Sequence, residues 1–391
     1  MGHDRIASAA KQPLWAVTIW DKKFNSVAPG KQKSAIKYHY LLAGDLKEKI
    51  VPGGDVKLLT TSETDWWTTE DKVVGLVSEG EIVSIPWGGN PNVQYFKGRF
   101  VTADNRIATS SDKGILDNKF LYYFMLSKRN TIGSFYRGAG LKHPEMAKVL
   151  DMEIPLPSIE VQRSFARCMD NVAKVIAIRK TQLESLSQLV KSRFVEMFGE
   201  VSHNRFPVVR LCDLCLSGGQ YGAAEKAIPY DAEKGRYIRI TDIDEFGSLN
   251  SEQVSPENFV KDYLLNENDI LFARTGATVG KTYIHKQGFC SYAGYLIRYV
   301  PNTALVDPVF LFQYTKTADY KHWIGQTMKI GTQPNINSKQ YNALPVILPP
   351  LALQREFAAF VAKVDKLAFA VKRSLETVEK LYRQQLSEAF S

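Results

Sequence analysis

The sequence predicts an α+β fold in which two mixed α/β domains are separated by two long antiparallel coiled-coil helices and related by a pseudo-twofold internal repeat. Three observations predict it. A 42-residue segment recurs 192 residues later, apolar residues in both copies follow a heptad spacing, and strand-like runs punctuated by Gly, Asn and Asp fill the remaining stretches. We place the first domain at 1–155, the central helix at 156–199, the second domain at 200–345 and the C-terminal helix at 346–391.

The repeat is the strongest signal in the chain. Residues 157–198 align without a gap over residues 349–390, and 13 of the 42 positions are identical. Ordinary composition would give about two or three matches by chance. The identities include Pro157/Pro349, Gln162/Gln354, Arg163/Arg355, Phe165/Phe357 and Phe198/Phe390.

Both copies are typical of long amphipathic helices, because apolar residues recur at alternating steps of four and three. A helix of about 40 residues is roughly 60 Å long, which is too long to be buried in one small domain. The simplest partner for each helix is therefore the other copy, although each could instead pack only on its own domain. Prolines 157, 349 and 350 favour helix starts, and Gly199 favours a stop. The predicted seam consists of Phe165, Val172, Leu183, Leu186, Phe357, Val364, Leu375 and Val378.

Short runs between the helices predict strands and two short helices. The strand candidates are EIVSI (81–85), NRIAT (105–109), YIRI (237–240), DILFAR (269–274) and LIRYV (296–300), and the helix candidates are KFLYYFMLS (119–127) and VFLFQYTKT (309–317).

Composition excludes several classes of protein. The 391 residues are 45% hydrophobic and 23% charged, as in ordinary globular proteins. No run of about 18 uncharged apolar residues and no apolar segment near the start of the chain occurs, so we expect no membrane span, no secretory signal and a cytoplasmic location. The balance of 50 Lys and Arg against 41 Asp and Glu gives a net charge of +9, which suits a polyanionic partner without establishing one.

The segment TGATVGKT (275–282) is the most tempting catalytic motif. A phosphate-binding P-loop has four residues between its glycines, so that successive backbone N–H groups surround the phosphates. Gly276 and Gly280 leave only three. We therefore favour a glycine turn that carries Arg274 and Lys281, with a nucleotide-hydrolysing enzyme as an alternative.

Other catalytic and metal-binding patterns are missing from the sequence. Cys212 and Cys215 form a single C-x-x-C without a second pair, which favours core cysteines over zinc ligands. No [DN]-P-P-[YFW], H-E-x-x-H or G-x-S-x-G motif occurs. The sequence therefore predicts a non-catalytic chain that holds no metal and no cofactor of its own.

Basic, amide and aromatic side chains gather in loops of both domains. Arg, Lys, Asn and Gln present donor patterns that match guanine and adenine edges, and Lys also neutralises phosphates. Any one of these residues is more simply a solvated surface residue, but two clusters in equivalent places favour DNA binding. The candidates are Trp87, Asn92, Tyr95, Lys97, Arg137 and Lys142 in the first domain and Arg239, Arg274, Lys281, Lys329, Gln333 and Asn335 in the second.

Three phrases carry a resemblance to a known family. The phrases NENDILFARTGATVGKTYI (266–284), IPLPSIEVQRSF (154–165) and VILPPLALQREF (346–357) resemble the specificity (S) subunit of type I restriction-modification enzymes. The resemblance covers essentially the whole chain. The first domain matches mainly in its order of elements, because EIVSIPWGGNPNVQYF (81–96) replaces the phrase that contains DILFAR.

The resemblance implies two target recognition domains, each reading one half of a split, asymmetric site in double-stranded DNA. The two helices would fix the unread spacer and dock two methyltransferase subunits, which bind S-adenosylmethionine and methylate adenine N6. Two restriction and motor subunits would add ATP- and Mg2+-dependent translocation and cleavage. A coiled-coil scaffold whose domains bind protein is the remaining alternative.

Overall fold

The computed structural model describes residues 6–21, 35–36, 38–41, 43–62, 64–103, 105–199, 206–259, 261–328 and 334–391. Backbone contacts divide the chain into two compact units. Unit 1 contains Met1–Arg179 and Ser374–Ser391, and unit 2 contains Lys180–Arg373. The two longest helices each contribute one half to either unit. The domain boundaries that we placed from the sequence stay a prediction.

Unit 1 is built on a seven-stranded mixed sheet. The strands of the whole unit are β1 (Lys11–Pro13), β2 (Thr18–Asp21), β3 (Ala35–Ile36), β4 (Val56–Leu59), β5 (Trp67–Thr68), β6 (Ser78–Pro86), β7 (Gln94–Thr102), β8 (Asn105–Ser110), β9 (Tyr136–Arg137), β10 (His143–Pro144) and β11 (Glu153–Pro155). The large sheet has the order β3-β2-β8-β6-β7-β4-β5, in which the pairs β2/β3 and β4/β7 are parallel. β1 pairs with β11 and β9 pairs with β10 outside it. β6 and β7 are nine residues long each and form the centre of the unit's longest antiparallel ladder.

Short helices also belong to this unit. They are α1 (Leu14–Val17), α2 (Asn118–Ser127), α3 (Arg129–Ser134) and α4 (Met146–Leu150), followed by the long helix α5 (Ile159–Phe198). The Asp117 side chain caps α2 by accepting hydrogen bonds from the N–H groups of Lys119 and Phe120. The apolar side of α2 joins the main core of the unit, which also includes the first turns of α5.

Unit 2 has a smaller and purely antiparallel main sheet. The strands of the whole unit are β12 (Val208–Arg210), β13 (Gln220–Tyr221), β14 (Ala227–Pro229), β15 (Arg236–Ile238), β16 (Val254–Pro256), β17 (Ile270–Ala273), β18 (Thr282–Ile284), β19 (Cys290–Tyr292), β20 (Leu296–Tyr299) and β21 (Pro345–Ile347). Its helices are α6 (Pro308–Tyr314), α7 (Ala318–Thr327), α8 (Ser338–Asn342) and the long helix α9 (Leu351–Ala389). Four strands form the main sheet in the order β13-β20-β17-β18, and β12/β21, β14/β16 and β15/β19 form separate pairs.

The predicted elements are found close to their expected positions, and their ends differ for local reasons. The helix predicted at 309–317 ends at Tyr314. The strand predicted at 237–240 ends at Ile238, because Arg239 starts a short 3-10 turn whose Asp242 carboxylate accepts a hydrogen bond from the Arg239 N–H. α5 ends at Phe198, and Gly199 adopts the left-handed conformation, with a φ of 72°, that a glycine at this position allows.

Within each unit the two long helices pack together antiparallel. In unit 1 the start of α5 meets the end of α9, where the Phe165 and Phe390 ring centroids are 5.5 Å apart. In unit 2 the end of α5 meets the start of α9, where Phe198 and Phe357 are 5.4 Å apart. These two contacts are equivalent in the repeat, since Phe165 aligns with Phe357 and Phe198 aligns with Phe390. The predicted α+β fold with two antiparallel long helices is confirmed.

A buried glutamine ties each long helix to its domain in the same way. The side-chain oxygen of Gln162 accepts a hydrogen bond from the Asp117 N–H at 2.9 Å. The side-chain NH2 of Gln162 donates to the backbone carbonyls of Ile115 at 2.8 Å and Pro157 at 2.9 Å. The side chain is fully buried. Because a buried polar group needs partners, this glutamine fixes the angle between helix and domain.

The repeat reproduces that network in unit 2. Gln354 accepts the Asp307 N–H at 2.8 Å and donates to the carbonyls of Leu305 at 3.4 Å and Pro349 at 2.7 Å. Asp307 caps α6 as Asp117 caps α2. The repeat in the sequence is therefore also a repeat of specific hydrogen bonds.

The predicted seam residues are covered to different degrees along the helices. Phe165, Phe357 and Val364 are buried. The seam positions nearer the middle of each helix, namely Val172, Leu183, Leu186, Leu375 and Val378, are half-buried. Burial is thus concentrated at the helix ends, where each domain adds its own aromatic residues.

Candidate DNA interface

In unit 1, a short hairpin lies against the loop that follows β6. The hairpin consists of β9 and β10 with the glycine-rich turn between them. Nδ1 of His143 donates a hydrogen bond to the Trp87 carbonyl at 2.7 Å, and the Gly89 N–H donates to the Lys142 carbonyl at 3.3 Å. These contacts place Trp87 and Lys142 on two adjoining loops.

The Trp87 ring contacts an arginine and a histidine. The guanidinium of Arg106 lies 3.9 Å from the Trp87 ring centroid, and the His143 ring lies 4.9 Å away. Arg106 is almost completely buried, and its guanidinium is 4.0 Å from the Asp21 carboxylate. Trp87 therefore covers a buried charged group, which gives this side chain a structural task in addition to any contact with DNA.

Asn92 and Tyr95 are held by other side chains. The side-chain oxygen of Asn92 accepts a hydrogen bond from the Arg129 guanidinium at 2.6 Å. The Tyr95 hydroxyl donates to the Glu81 carboxylate at 2.8 Å, and burial together with that carboxylate raises the pKa of Tyr95 well above its usual range. Both residues are half-buried, so only part of each side chain can reach a ligand.

Three predicted cations of unit 1 are exposed. Lys97 lies on β7 opposite Glu81 in the β6/β7 ladder. Arg137 forms an ion pair with Glu145 at 3.1 Å. Lys142 projects from the glycine-rich turn, and no ion pair involves it among the described residues. Exposed pairs of this kind contribute little energy, so all three cations remain available to phosphates.

In unit 2, Arg274 stands out because its side chain has no acidic partner among the described residues. Its guanidinium lies 4.8 Å from the ring centroid of Tyr221, and its Nε is buried without a hydrogen-bond partner. Its backbone is fixed on both sides, since its N–H donates to the Tyr295 carbonyl at 3.0 Å and its carbonyl accepts the Ile336 N–H at 2.9 Å. A guanidinium stacked on an aromatic ring and free of carboxylates is ready to bind an external acceptor.

Asn335 lies beside Arg274 in the fold. A backbone bridge joins Thr275 to Asn335, and the Gly276 N–H donates to the Pro334 carbonyl at 2.9 Å. The Asn335 amide oxygen is buried without a partner in the described structure. Two predicted residues, Lys329 and Gln333, lie outside the described residues.

The other two predicted cations that the structure describes in unit 2 form ion pairs with carboxylates. Arg239 binds the buried Asp242 carboxylate at 2.9 Å and Glu252 at 3.4 Å. Lys281 binds Glu245 at 2.9 Å. Their positive charges are partly neutralised, which makes both of them weaker candidates for base reading than Arg274.

Four backbone N–H groups of the loop 275–282 are already used within the protein. The N–H groups of Gly276, Val279, Gly280 and Lys281 all donate to backbone carbonyls. Gly276 adopts a φ of 69°, and residues Gly276–Thr278 form a tight 3-10 turn instead of a wide loop. The geometry therefore does not support nucleotide binding at this loop.

Two aromatic residues beside Arg274 were missed in the sequence. Tyr221 supplies the ring under the guanidinium, and its hydroxyl accepts the Ser338 N–H at 2.9 Å. Tyr295 lies next to Arg274 through the backbone bond and is 58% exposed. Tyr221 sits in the glycine-rich GGQYG (218–222), which was the only local signal for a special backbone.

The described ranges hold no metal-binding cluster and no membrane-spanning helix. No cluster of three or more His, Cys, Asp or Glu residues there could hold a metal ion, and Cys212 and Cys215 are free thiols. No described helix is both long and apolar enough to cross a membrane.

The family model for the type I restriction modification DNA specificity domain matches this chain twice, over residues 18–188 and 205–380. The chain belongs to this family. It is a DNA specificity subunit of the type I restriction-modification class, which is the non-catalytic component of such enzymes. The predicted resemblance is thereby confirmed, and so is the prediction of a chain that performs no catalysis.

Similar proteins extend over most of the chain. It is 22% identical over 331 residues to the type I restriction enzyme MjaVIII specificity subunit of Methanocaldococcus jannaschii, which covers 78% of this chain and 77% of that protein. It is 23% identical over 318 residues to the EcoDI specificity subunit of Escherichia coli, covering 71% and 70%. The fold is similar to the crystal structure of the type I restriction-modification S subunit from M. genitalium, with a TM-score of 0.59, 16% identity and coverage of 98% and 96%.

Proposed function

We propose that each globular domain of this chain reads one half of a bipartite, asymmetric DNA site and that the two long helices set the spacer. The observation that carries the proposal is the contrast within the repeat. The helix ends and their glutamine networks match, whereas one domain has a seven-stranded mixed sheet and the other a four-stranded antiparallel sheet. Different domain surfaces would read different half-sites, so the complete site would not be a palindrome.

We assign the reading of the second half-site mainly to Arg274 and Asn335. An arginine recognises guanine through two parallel hydrogen bonds, and an asparagine recognises adenine in the same way. Arg274 is unpaired and stacked on Tyr221, and Asn335 adjoins it. Lys281 and Arg239, which are paired with acids, would contribute mainly to the positive potential.

In the first domain we assign phosphate contacts to the exposed cations Lys97, Arg137 and Lys142. Asn92, Tyr95 and Trp87 lie close to these cations in sequence or fold, and their exposed edges are the candidates for base contacts. Phosphate contacts supply affinity that falls with salt, whereas base contacts supply discrimination.

We further propose that two methyltransferase subunits dock on repeat-equivalent apolar positions of the long helices. Val175 and Leu367 are equivalent by the 192-residue offset, and so are Leu189 and Leu381. All four side chains are between 39% and 59% exposed. Each unit carries one member of each pair, which is the arrangement that two copies of one partner would require.

The remaining activities belong to those partners in this proposal. The methyltransferase subunits would bind S-adenosylmethionine, and two restriction and motor subunits would bind ATP and Mg2+. We place the assembly in the cytoplasm with its DNA.

The proposal is tested by mapping N6-methyladenine in DNA exposed to this chain and its cognate methyltransferase. We expect a split site with two different halves and a constant spacer. Methylation at a palindromic or unsplit sequence would contradict the proposal.

The spacer is tested separately by removing one heptad from each helix, residues 172–178 and 364–370. Seven residues of helix correspond to about 10 Å, or about three base pairs of duplex. We expect the shortened chain, in binding assays with duplexes whose spacers differ by single base pairs, to prefer a shorter spacer with both half-sites unchanged. An unchanged spacer preference would show that the helices do not set it.

A further inference from the structure

The glycine-rich turn of unit 1 exposes a leucine between two cations. The turn has the sequence RGAGLK (137–142) and joins β9 to β10. Leu141 is 65% exposed, and Arg137 and Lys142 are exposed as well. Single exposed apolar residues are common on protein surfaces, so exposure alone indicates little. Leu141 differs from such residues in how firmly the structure holds it.

The hairpin is fixed on both sides of this turn. On the β9 side the Tyr136 hydroxyl donates to the Pro86 carbonyl at 2.6 Å. On the β10 side Nδ1 of His143 donates to the Trp87 carbonyl at 2.7 Å. Pro86 ends β6 and Trp87 follows it, so both bonds anchor the hairpin to one end of a central strand.

A glycine of the adjoining loop supports Leu141 from behind. A Cβ placed at Gly88 would lie 2.9 Å from Cγ and Cδ2 of Leu141, which is closer than two carbon atoms approach in proteins. The leucine side chain therefore rests directly on the backbone at Gly88, while its other side is open to solvent. A side chain that is already held in place loses little conformational entropy when a partner buries it.

The chemistry of the turn favours DNA as that partner. Apart from Leu141, the turn consists of two cations, two glycines and an alanine, without an acid. A protein-docking surface would present several adjoining large apolar side chains. Base steps have phosphates on both sides, and proteins that bend DNA often insert Phe, Leu, Ile, Met or Pro between two base pairs, which kinks the duplex by about 20–90°. An apolar side chain between two cations matches such a wedge.

We propose that Leu141 enters the duplex between two base pairs of the first half-site and partly unstacks them. This inference rests on the proposed function, in which the first domain reads one half-site, and it adds discrimination that needs no hydrogen bond to a base. Pyrimidine–purine steps such as TA and CA unstack most easily. The wedge would therefore favour such a step.

The repeat confines this wedge to one half-site. α4 and α8 begin 192 residues apart, at Met146 and Ser338, and so do β11 and β21. The same offset aligns Leu141 with Gln333, which lies outside the described residues. Glutamine is not one of the apolar side chains that act as wedges. We therefore expect unstacking by a wedge in the half-site of the first domain alone.

The test uses the full chain with its cognate methyltransferase subunits on duplexes that carry the mapped site. 2-Aminopurine, whose fluorescence rises when it is unstacked, replaces one base after another. We expect high fluorescence at the adenines that the methyltransferase extrudes and at one further step in the first half-site. Leu141→Ala should remove the signal at that step and keep it at the adenines, whereas Leu141→Met should keep both. Val74→Ala, which trims another exposed side chain of the unit, should change neither.

The support behind the leucine is tested in the same assay. Gly88→Ala places a methyl group where the Leu141 side chain rests, so it should weaken the signal at the same step. Gly44→Ala adds a methyl group to open space in the same unit and should have no effect.

A duplex with a one-nucleotide gap at the unstacked step separates a wedge from an ordinary contact. Leu141→Ala should lower the affinity for the intact duplex by about tenfold, because burial of a leucine side chain contributes at least that much. The gapped duplex bends without a wedge, so the loss there should fall below about threefold.

Three results would overturn the inference. They are a lack of any bright position besides the extruded adenines, a signal at the step that survives in Leu141→Ala, and an equal loss of affinity on gapped and intact duplexes. Weaker methyltransferase binding by Leu141→Ala would make the turn a protein contact and would also contradict it. If the unaltered complex bound no split site at all, the proposed function would fail instead.

Discussion

The junction of each long helix with its domain, here called the hinge, contains Gln162 and Phe165 in unit 1 and Gln354 and Phe357 in unit 2. The two hinges follow the repeat closely, whereas the main sheets of the two units do not. In both hinges a buried glutamine accepts an aspartate N–H and donates to a proline carbonyl, with lengths that agree within about 0.2 Å. The main sheets have different numbers of strands, different strand orders and different proportions of parallel pairs. The hinges are therefore nearly the same in the two halves of the chain, whereas the main sheets are different.

The difference indicates what each part is for. A hinge that must present a helix at one angle tolerates few changes, because each of its hydrogen bonds is buried and needs a specific partner. A domain surface that reads bases must change whenever the sequence to be read changes. We infer that the hinges and helices form a common frame and that the domains were free to acquire different specificities.

The strongest test of the common frame removes an aromatic ring from each hinge. Phe165→Ala and Phe357→Ala should each lower the free energy of unfolding by about 3–5 kcal/mol, since each ring is buried against two or more other rings. Denaturant unfolding of the full chain measures the loss. Val195→Ala, which trims an exposed side chain of α5, should change the free energy by less than about 0.5 kcal/mol. A large cost at one hinge and a negligible cost at the other would end the claim that the two are equivalent.

The glutamine networks offer a second test of equivalence. Gln162→Ala and Gln354→Ala each leave a buried backbone N–H and two carbonyls without their partner, so each should cost about 1–3 kcal/mol. The exposed Gln384→Ala is the matched control in unfolding experiments. Because the bond from Gln354 to the Leu305 carbonyl is 3.4 Å long and its counterpart in unit 1 is 2.8 Å, we expect the loss at Gln354 to be the smaller one. A larger loss at Gln354 would show that bond length does not rank these networks.

The sequence was informative about the frame for a physical reason. Helix periodicity, the prolines at the helix starts and Gly199 at the stop are local signals, and the identities at Gln162/Gln354 and Phe165/Phe357 mark positions that the hinge holds fixed. Strand order was beyond reach, because it depends on pairings such as β2 with β8 and β4 with β7 between segments far apart in the chain.

The candidate site was predictable only in part. The sequence alone does not distinguish Arg239, Arg274 and Lys281, because all three are cations in polar loops. The fold shows that Arg239 and Lys281 form ion pairs with carboxylates. Glu245 lies 36 positions from Lys281, and nothing local indicates that pair. Asp242, three residues after Arg239, could have been recognised as a local partner. Tyr221 was missed because its ring meets Arg274 from a separate strand.

The divergent part is tested by Arg274. Arg274→Ala should reduce discrimination at one base pair of the second half-site by about 1–3 kcal/mol and leave the first half-site unchanged. Competition binding with duplexes altered one base pair at a time measures this. Arg210→Ala removes the same charge from the same unit but pairs only with the exposed Asp213, so it should change affinity slightly and alter no base preference. Arg274→Lys should behave like the alanine variant, because an ammonium cannot make the two parallel hydrogen bonds of a guanidinium. Equal losses at both half-sites would indicate that Arg274 acts through general charge or folding.

The smallest effect concerns the ring beneath that arginine. Tyr221→Leu removes the cation-π contact with the Arg274 guanidinium and the acceptor of the Ser338 N–H, and Tyr221→Phe removes only the acceptor. A partly exposed cation-π contact contributes about 0.5–1 kcal/mol, so the leucine variant should lower discrimination at the Arg274 base pair by about two- to fivefold. The phenylalanine variant should retain most of it, since its ring can still hold the guanidinium in place. The same competition assay measures both variants, and the exposed Tyr230→Leu serves as the control. If the leucine and phenylalanine variants were equally impaired, the hydrogen bond to Ser338 would be the feature that positions Arg274, and the stacking argument would have to be given up.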